Sequence, residues 1–324
     1  MNIFSKRKAV KPYEYPSIMR FREAIKKSRW DVEEFNLESD AFQYHYELNP
    51  MEQQLVTRAL LAISQVEINV KTFWGDLYRH LPKTEFSLVG ATCAENEVVH
   101  FEAYQKLIEV LGLEDQFAEI LKVPCIAGRI DYLTKYLNNS GENTKEKFSL
   151  HVTLFSLLIE NGSLFGQFGL PKIIYKERNI LKEIDSIIDA TMKEEIVHAQ
   201  LGAEITRLIK AENPDWFGEE FVEKIKGACL KAFEAECNII EWMFEGVDLP
   251  YVKKENMIEF IKTRFNDSLE MLEIKPIFVI DEELIKPLEF MVEAIYAYTK
   301  NDHFDTQSTN YTKFSRSVSR KDLF

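Results

Sequence analysis

Carboxylates occupy core positions on four separate helical stripes of this 324-residue chain. Residues at i, i+3 and i+4 share one helix face. Phe86, Val89, Cys93, Glu97, His100, Tyr104, Leu107 and Leu111 therefore form one continuous stripe, with Glu97 and His100 inside it. The preceding segment contributes Val56, Ala59, Ile63, Glu67 and Val70. Residues 145–169 supply Leu157, Glu160, Leu164 and Phe168, and residues 174–211 supply Ile184, Ile188, Glu195, His198 and Ile205. An unpaired buried carboxylate is costly, and four of them would also repel one another. Positive charge has to sit between them.

Two Glu-x-x-His motifs give Glu97/His100 and Glu195/His198, and Glu67 and Glu160 stand alone on their stripes. This matches the four-helix dimetal arrangement in which two helices give one Glu each and two give Glu-x-x-His. Carboxylate and imidazole donors suit iron or manganese better than soft metals. The order is consistent, since Glu67 to Glu97 spans 30 residues and Glu160 to Glu195 spans 35, each the length of a helical hairpin. The 63 residues from Glu97 to Glu160 leave room for a crossover. A lone Glu-x-x-His motif is ordinarily a solvated helix face, and the bland account of all six residues is a set of buried salt bridges. Two motifs on core stripes, each preceded at hairpin distance by a core Glu, favour the metal site.

Only 12 Gly and 10 Pro interrupt the chain, and 46% of residues are hydrophobic, which together predict an all-α fold with a large core. Periodicity predicts helices near residues 17–28, 50–79, 85–112, 126–137, 145–169, 174–211, 216–247, 253–265 and 282–298. The longest fit a bundle about 45 Å tall. Breaks are expected at "LNPME", "LPKTEF", "NNSGENTKE" and "GLPK". Residues 1–300 read as one helical domain, and 301–324, rich in Ser, Thr, Asn, Lys and Arg, as a flexible tail. The net charge of −13 opposes direct nucleic-acid binding. No apolar run approaches a membrane span and no signal-peptide core stands near the start, so a cytoplasmic protein without a membrane partner is expected. Cys93, Cys125, Cys229 and Cys237 form no CxxC pair and read as reduced structural thiols.

These residues resemble the small, radical-generating subunit of class I ribonucleotide reductase, over almost the whole chain. The resemblance implies a ferritin-like four-helix bundle core with additional helices, and a homodimer that works with a large (alpha) subunit. The family's metal ligands fall here on Glu67, Glu97, His100, Glu160, Glu195 and His198. Its radical tyrosine matches Tyr104, four residues after the first ligand histidine. Its transfer tryptophan resembles Trp30 in "SRWDVEEF", and the relay tyrosine of its docking tail resembles Tyr311 in "STNYTKF". The implied activity is that of a ribonucleoside-diphosphate reductase beta subunit. Its oxidised dimetal centre would send a one-electron hole through Trp30, His100 and Tyr311 to the large subunit, which would reduce ribonucleotides to deoxyribonucleotides.

Two departures matter, one for the metal and one for the transfer pathway. The first ligand, usually Asp, is Glu67, and the acid beside the second motif's Glu, usually an Asp of the transfer pathway, is Glu194, which the resemblance makes a catalytic residue of that pathway. Glu at the first position resembles branches that use manganese, so two manganese ions are expected, with Mn/Fe and Fe/Fe as alternatives. Lys71, one turn beyond Glu67, faces the same way. It could hydrogen-bond near Tyr104 and attract an anionic oxidant such as superoxide, directly or through an activating flavoprotein, or it could be an ordinary surface lysine. Leu164 and Phe168 would wall the site from water. The rivals are a dimetal oxidase or desaturase acting on a hydrophobic substrate, which leaves Trp30 and Tyr311 unexplained, and a ferritin-like storage protein, which leaves the helices after residue 211 unexplained.

Overall fold

The computed structural model describes residues 2–68, 70–137 and 145–300. No β-strand occurs among them. The principal helices are α1 (Met19–Ser28), α2 (Glu38–Tyr46), α3 (Pro50–Val66), α4 (Val70–Gly75), α5 (Thr84–Val110), α6 (Pro124–Leu137) and α7 (Lys145–Leu154). After α7 the chain winds as a π-helix over Phe155–Ser163 and continues as α8 (Phe165–Arg178), α9 (Lys182–Glu212), α10 (Glu219–Met243), α11 (Lys254–Glu270) and α12 (Glu289–Lys300).

The four acid-bearing segments make the central bundle. α3 packs on α5 and α8, the π-helical segment packs on α9, and α1 lies across α5 and α9. α10 and α11 cover the outer side of the π-helical segment. Every residue of the four stripes read from the sequence is buried. α3 begins where Asn49 accepts hydrogen bonds from Met51 N and Glu52 N, with Pro50 in the first turn and Glu52 reaching back to Asn49 N. α9 begins against Asp40, whose carboxylate accepts from Ile184 N at 2.8 Å.

The expected helix over 50–79 is broken at Glu67. Lys71 Nζ donates to the carbonyls of Glu67 (3.1 Å) and Ile68 (2.7 Å), replacing donors the helix would have supplied, and the chain is helical again from Val70 as α4. The expected break at "GLPK" is absent, because Pro171 lies inside α8. Leu170, Pro171 and Lys172 are packed on every side, and that packing outweighs the missing proline donor. The chain turns instead at Asn179 and Leu181, both at positive φ (54° and 65°). Asn tolerates that conformation, while Leu181 is held there by full burial and by its N–H on Gln43 Oε1 at 2.7 Å. The expected 282–298 helix is interrupted by a 3-10 turn at Lys286–Leu288, which contains Pro287. Helix α2 was not anticipated, since "ESDAFQYHY" has little aliphatic periodicity. One stretch, Lys145–Arg178, does reach the length and hydropathy of a bilayer span, contrary to expectation, but 89% of its apolar window is buried inside the protein. The tail over 301–324, with Tyr311, lies outside the described residues.

Candidate metal centre

Glu67 caps the C-terminal end of α3 at the helix break, Glu97 and His100 project from the middle of α5, Glu160 from the π-helical segment, and Glu195 and His198 from the middle of α9. All six are buried, and their donor atoms form two groups. Glu67, Glu97, His100 and Glu195 make one, and Glu97, Glu160, Glu195 and His198 the other, with ligand atoms in each lying within 4.8 Å of one another. Glu97 and Glu195 belong to both. Each candidate metal position thus has one Glu and one His of its own and two shared carboxylates.

The donor atoms are left open. Both oxygens of Glu67, Glu97 and Glu195, Oε2 of Glu160 and Nδ1 of both histidines are buried without a hydrogen bond. His198 Nδ1 lies 2.9 Å from Glu97 Oε1, and His100 Nδ1 lies 3.1 Å from Glu195 Oε1 and 3.3 Å from Glu97 Oε2. So many unsatisfied buried donors and acceptors converging on one spot would be severely destabilising as a purely protein cluster. Two divalent cations balance four carboxylates, and oxygen and imidazole donors suit iron and manganese. The residues present therefore fit a dinuclear metal centre.

Electrostatics inside the cluster show the same demand. Burial, with Glu97 adding to it, pushes the Glu67 carboxyl well above the usual range. Burial also raises Glu160, against the pull of His198. Glu97 moves the other way, to about 2, because His198 and His100 beside it overcome burial. Both imidazoles are raised against the effect of burial, His100 by Glu194, Glu195 and Glu97, and His198 chiefly by Glu97. The surrounding carboxylates thus favour positive charge at the centre of the cluster.

Around the six ligands lies a second layer. His100 turns Nε2 outward to Glu194 Oε2 at 2.9 Å. The same oxygen accepts from Trp30 Nε1 at 2.8 Å and Asn96 Nδ2 at 2.7 Å, and Ser28 Oγ donates to Glu194 Oε1 at 2.9 Å. The Trp30 and His100 rings are near parallel, 19° apart, with centroids 6.0 Å apart. A carboxylate on the far nitrogen of a metal-binding histidine fixes its tautomer and orientation. Trp74 Nε1 donates to Glu160 Oε1 at 2.7 Å and its ring lies 5.7 Å from that of His198.

Tyr104 is fully buried, and its phenol is pushed up by burial and by Glu67, with Thr191 opposing. Cys93 packs beside His198, whose influence on the thiol is outweighed by burial. Lys71 is only partly buried; besides the two carbonyls it lies over the Phe101 ring, 4.4 Å from its centroid.

The sequence stripes located all six candidate ligands, but Trp74, Asn96, Ser28 and Thr191 were not singled out. Trp74 stands seven residues after Glu67, on the same face of an unbroken helix, and Asn96 is a buried polar residue beside Glu97; both carried a signal at helical spacing. Ser28 and Thr191 carried none.

A model of the ribonucleotide reductase small chain family matches residues 7–284, a span that includes all six candidate ligands. The Invertebrate iridescent virus 3 protein named "Probable ribonucleoside-diphosphate reductase small subunit 048L" is 20% identical over 330 residues, covering 97% of this chain and 87% of that one. Among solved structures, the ribonucleotide reductase R2 subunit from Clostridium botulinum superposes with a TM-score of 0.78 at 17% identity, covering 87% of this chain and 89% of the other. The Streptococcus sanguinis dimanganese(II)-NrdF superposes with a TM-score of 0.75, also at 17% identity, covering 91% and 100%. The fold is theirs, and the extent of the family match shows that this chain belongs to the ribonucleotide reductase small chain family.

Proposed function

We propose that this chain is the radical-generating small subunit of a ribonucleoside-diphosphate reductase, a dimer that works with a large subunit, and that its metal pair is two manganese ions. The observation that carries the reading is the sharing of Glu97 and Glu195 by two ligand groups, with Glu194 hydrogen-bonded to both His100 and Trp30. When bound and oxidised, the metal pair supplies a one-electron hole, which the large subunit uses to reduce ribonucleotides. The chain's own residues hold and route that hole. Glu97 and Glu195, common to both donor groups, would help hold both metal ions, with Glu67 and His100 completing one position and Glu160 and His198 the other. Trp30 yields an electron toward His100 while Glu194, which accepts its indole N–H, is placed to receive the proton. Tyr311 continues the route in the tail that docks on the large subunit.

The manganese preference rests on Glu67, whose longer side chain can change its carboxylate binding mode, and on Lys71, a cation within reach of an incoming anionic oxidant such as superoxide, delivered directly or by a flavoprotein. In this reading the hole is stored on the metals, and Tyr104 serves as a buried neighbour of Glu67. A Lys71→Ala variant is expected to assemble its oxidised cofactor more slowly; assembly at the normal rate, followed by stopped-flow absorbance, removes the lysine from the proposal.

The deciding experiment loads the protein with manganese and, separately, iron, quantifies bound metal, and records low-temperature electron paramagnetic resonance after oxygen or superoxide. About two manganese ions per chain with a multiline manganese spectrum support the reading. A narrow tyrosyl doublet after iron loading moves the radical to Tyr104. No stoichiometric metal under either condition defeats it.

A further inference from the structure

Asn161, the residue after Glu160, is fully buried and reaches α11, on the outer side of the π-helical segment. Both ends of its amide are engaged there: Oδ1 accepts from Arg264 Nη2, and Nδ2 donates to Ser268 Oγ at 2.8 Å. Ser268 Oγ lies 2.7 Å from the Leu157 carbonyl, the shorter of its two carbonyl contacts, and donating to it closes a loop back onto the π-helical segment. Arg264 and Ser268 stand one turn apart on α11 and share a face. Arg264 is itself only 3% exposed, with Nη1 on Asp267 at 2.7 Å and its guanidinium over the Phe165 ring, 4.5 Å from the centroid. At the same contact a Cβ on Gly162 would stand 2.7 Å from Phe265 Cε1, so the two elements meet with no room to spare. A buried guanidinium is costly where an apolar side chain would pack for less, which points to a role beyond filling space. In π-helical turns the usual i to i−4 ladder gives way. Here the Leu157 and Leu158 carbonyls accept side-chain hydroxyls, from Ser268 and from Ser163 at 3.0 Å. The register of the segment is therefore held in part from outside, by α11.

We propose that Arg264 and Ser268 are positioning residues for the metal centre: acting through Asn161, they lock the turn that aims Glu160 at the position it forms with His198. This rests on the metal reading given above, and adds the residues outside the cluster that set one of its ligands. Glu160 and His198 belong to one ligand group, and Glu67 and His100 to the other. Glu97 and Glu195, common to both, are carried by α5 and α9 and not by the segment that α11 clasps. Loosening the clasp therefore weakens one metal position and spares the other.

The test titrates the metal-free full chain with manganese(II) and follows binding by low-temperature electron paramagnetic resonance. Ser268→Ala removes one hydroxyl at nearly constant size, and Arg264→Met removes the charge while keeping a long side chain. In each, one of the two ions is expected to bind at least about tenfold more weakly. A chain holding a single ion then gives the hyperfine sextet of isolated manganese(II), where the parent gives the broad signal of a coupled pair. Adding His198→Ala to Ser268→Ala is expected to cost no further ion, while adding His100→Ala removes the one that remains. Should Arg264→Met fail to fold, Ser268→Ala decides alone. Both ions bound within twofold of the parental affinities, both positions weakened alike, or loss confined to the position of Glu67 and His100 overturns the proposal; a general loss of stability does not choose between positions. A parent chain that fails to take up about two manganese ions defeats the metal reading and this inference with it. A parent that takes them up leaves that reading standing whichever way the variants fall.

Discussion

Glu194 takes four hydrogen bonds, two from the C-terminal end of α1 and the chain just after it and two from α5, and two of its donors, Trp30 and His100, are aromatic rings in near-parallel array. Its carboxylate therefore orients a candidate ligand and a candidate electron donor together. Glu194→Gln keeps the size and removes the charge. Metal content is expected to stay near two per chain, while reductase activity with the large subunit falls about 10–100-fold; activity within twofold of the parent would defeat the role. Trp74 holds Glu160 in the same manner from the opposite side. Trp74→Phe leaves a buried carboxylate oxygen without its donor, expected to cost about 1.5–3 kcal/mol in the metal-free protein. Denaturant unfolding with a chelator present measures it, and metal should shrink the difference by engaging the same carboxylate. At this scale the candidate ligand set was legible because an acid in an apolar stripe is a local anomaly. The Glu194 partners were not, since Ser28, Trp30 and Asn96 meet only when α1 lies across α5 and α9.

Two departures from regular helix each carry a candidate ligand. Glu67 sits where α3 ends, and Glu160 lies within the π-helical segment Phe155–Ser163. Wide π-type turns recur at functional sites because they re-aim side chains within a helix. The π-helical segment is pressed against α9 at Gly202, where an added Cβ would stand 1.9 Å from Ser156 Oγ and 2.1 Å from Ser156 Cβ. Gly202→Ala is therefore expected to destabilise by about 1–3 kcal/mol, to lower metal occupancy by displacing Glu160, and to be partly rescued by Ser156→Gly. Calorimetry and metal analysis check it, and a fully stable, fully loaded alanine variant would exclude so tight a contact. A comparable approach occurs at Gly90, where a Cβ would lie 2.7 Å from the Trp74 carbonyl and hold α4 off α5. Helix periodicity missed the π-helical segment for a physical reason. Residues 152–174 are buried on every face, so the stripe that normally reports orientation has no polar side to contrast with.

For the whole molecule, the metal-free centre concentrates four carboxylates, two histidines and their unsatisfied donors in the core, so metal binding and folding stability are coupled. Adding manganese to about one hundred times its dissociation constant is expected to stabilise the fold by about 2.7 kcal/mol per independent site, reversed by chelation. Scanning calorimetry with and without chelator reads it, and an unchanged melting temperature would mean that metal binds the native and unfolded chains equally. The sequence by itself determined the all-α class, the four acid-bearing segments, and the six candidate ligands with their hairpin order. Each follows from side-chain spacing along a helix, which is a local property. Only the tertiary structure decided that Glu97 and Glu195 are shared between two ligand groups, that Glu194 joins Trp30 to His100, that the chain turns at Asn179 and not at Pro171, and that Lys71 bonds the carbonyls of a broken helix. Those depend on distances between segments up to 166 residues apart, as from Ser28 to Glu194, and long-range packing, not local propensity, sets them.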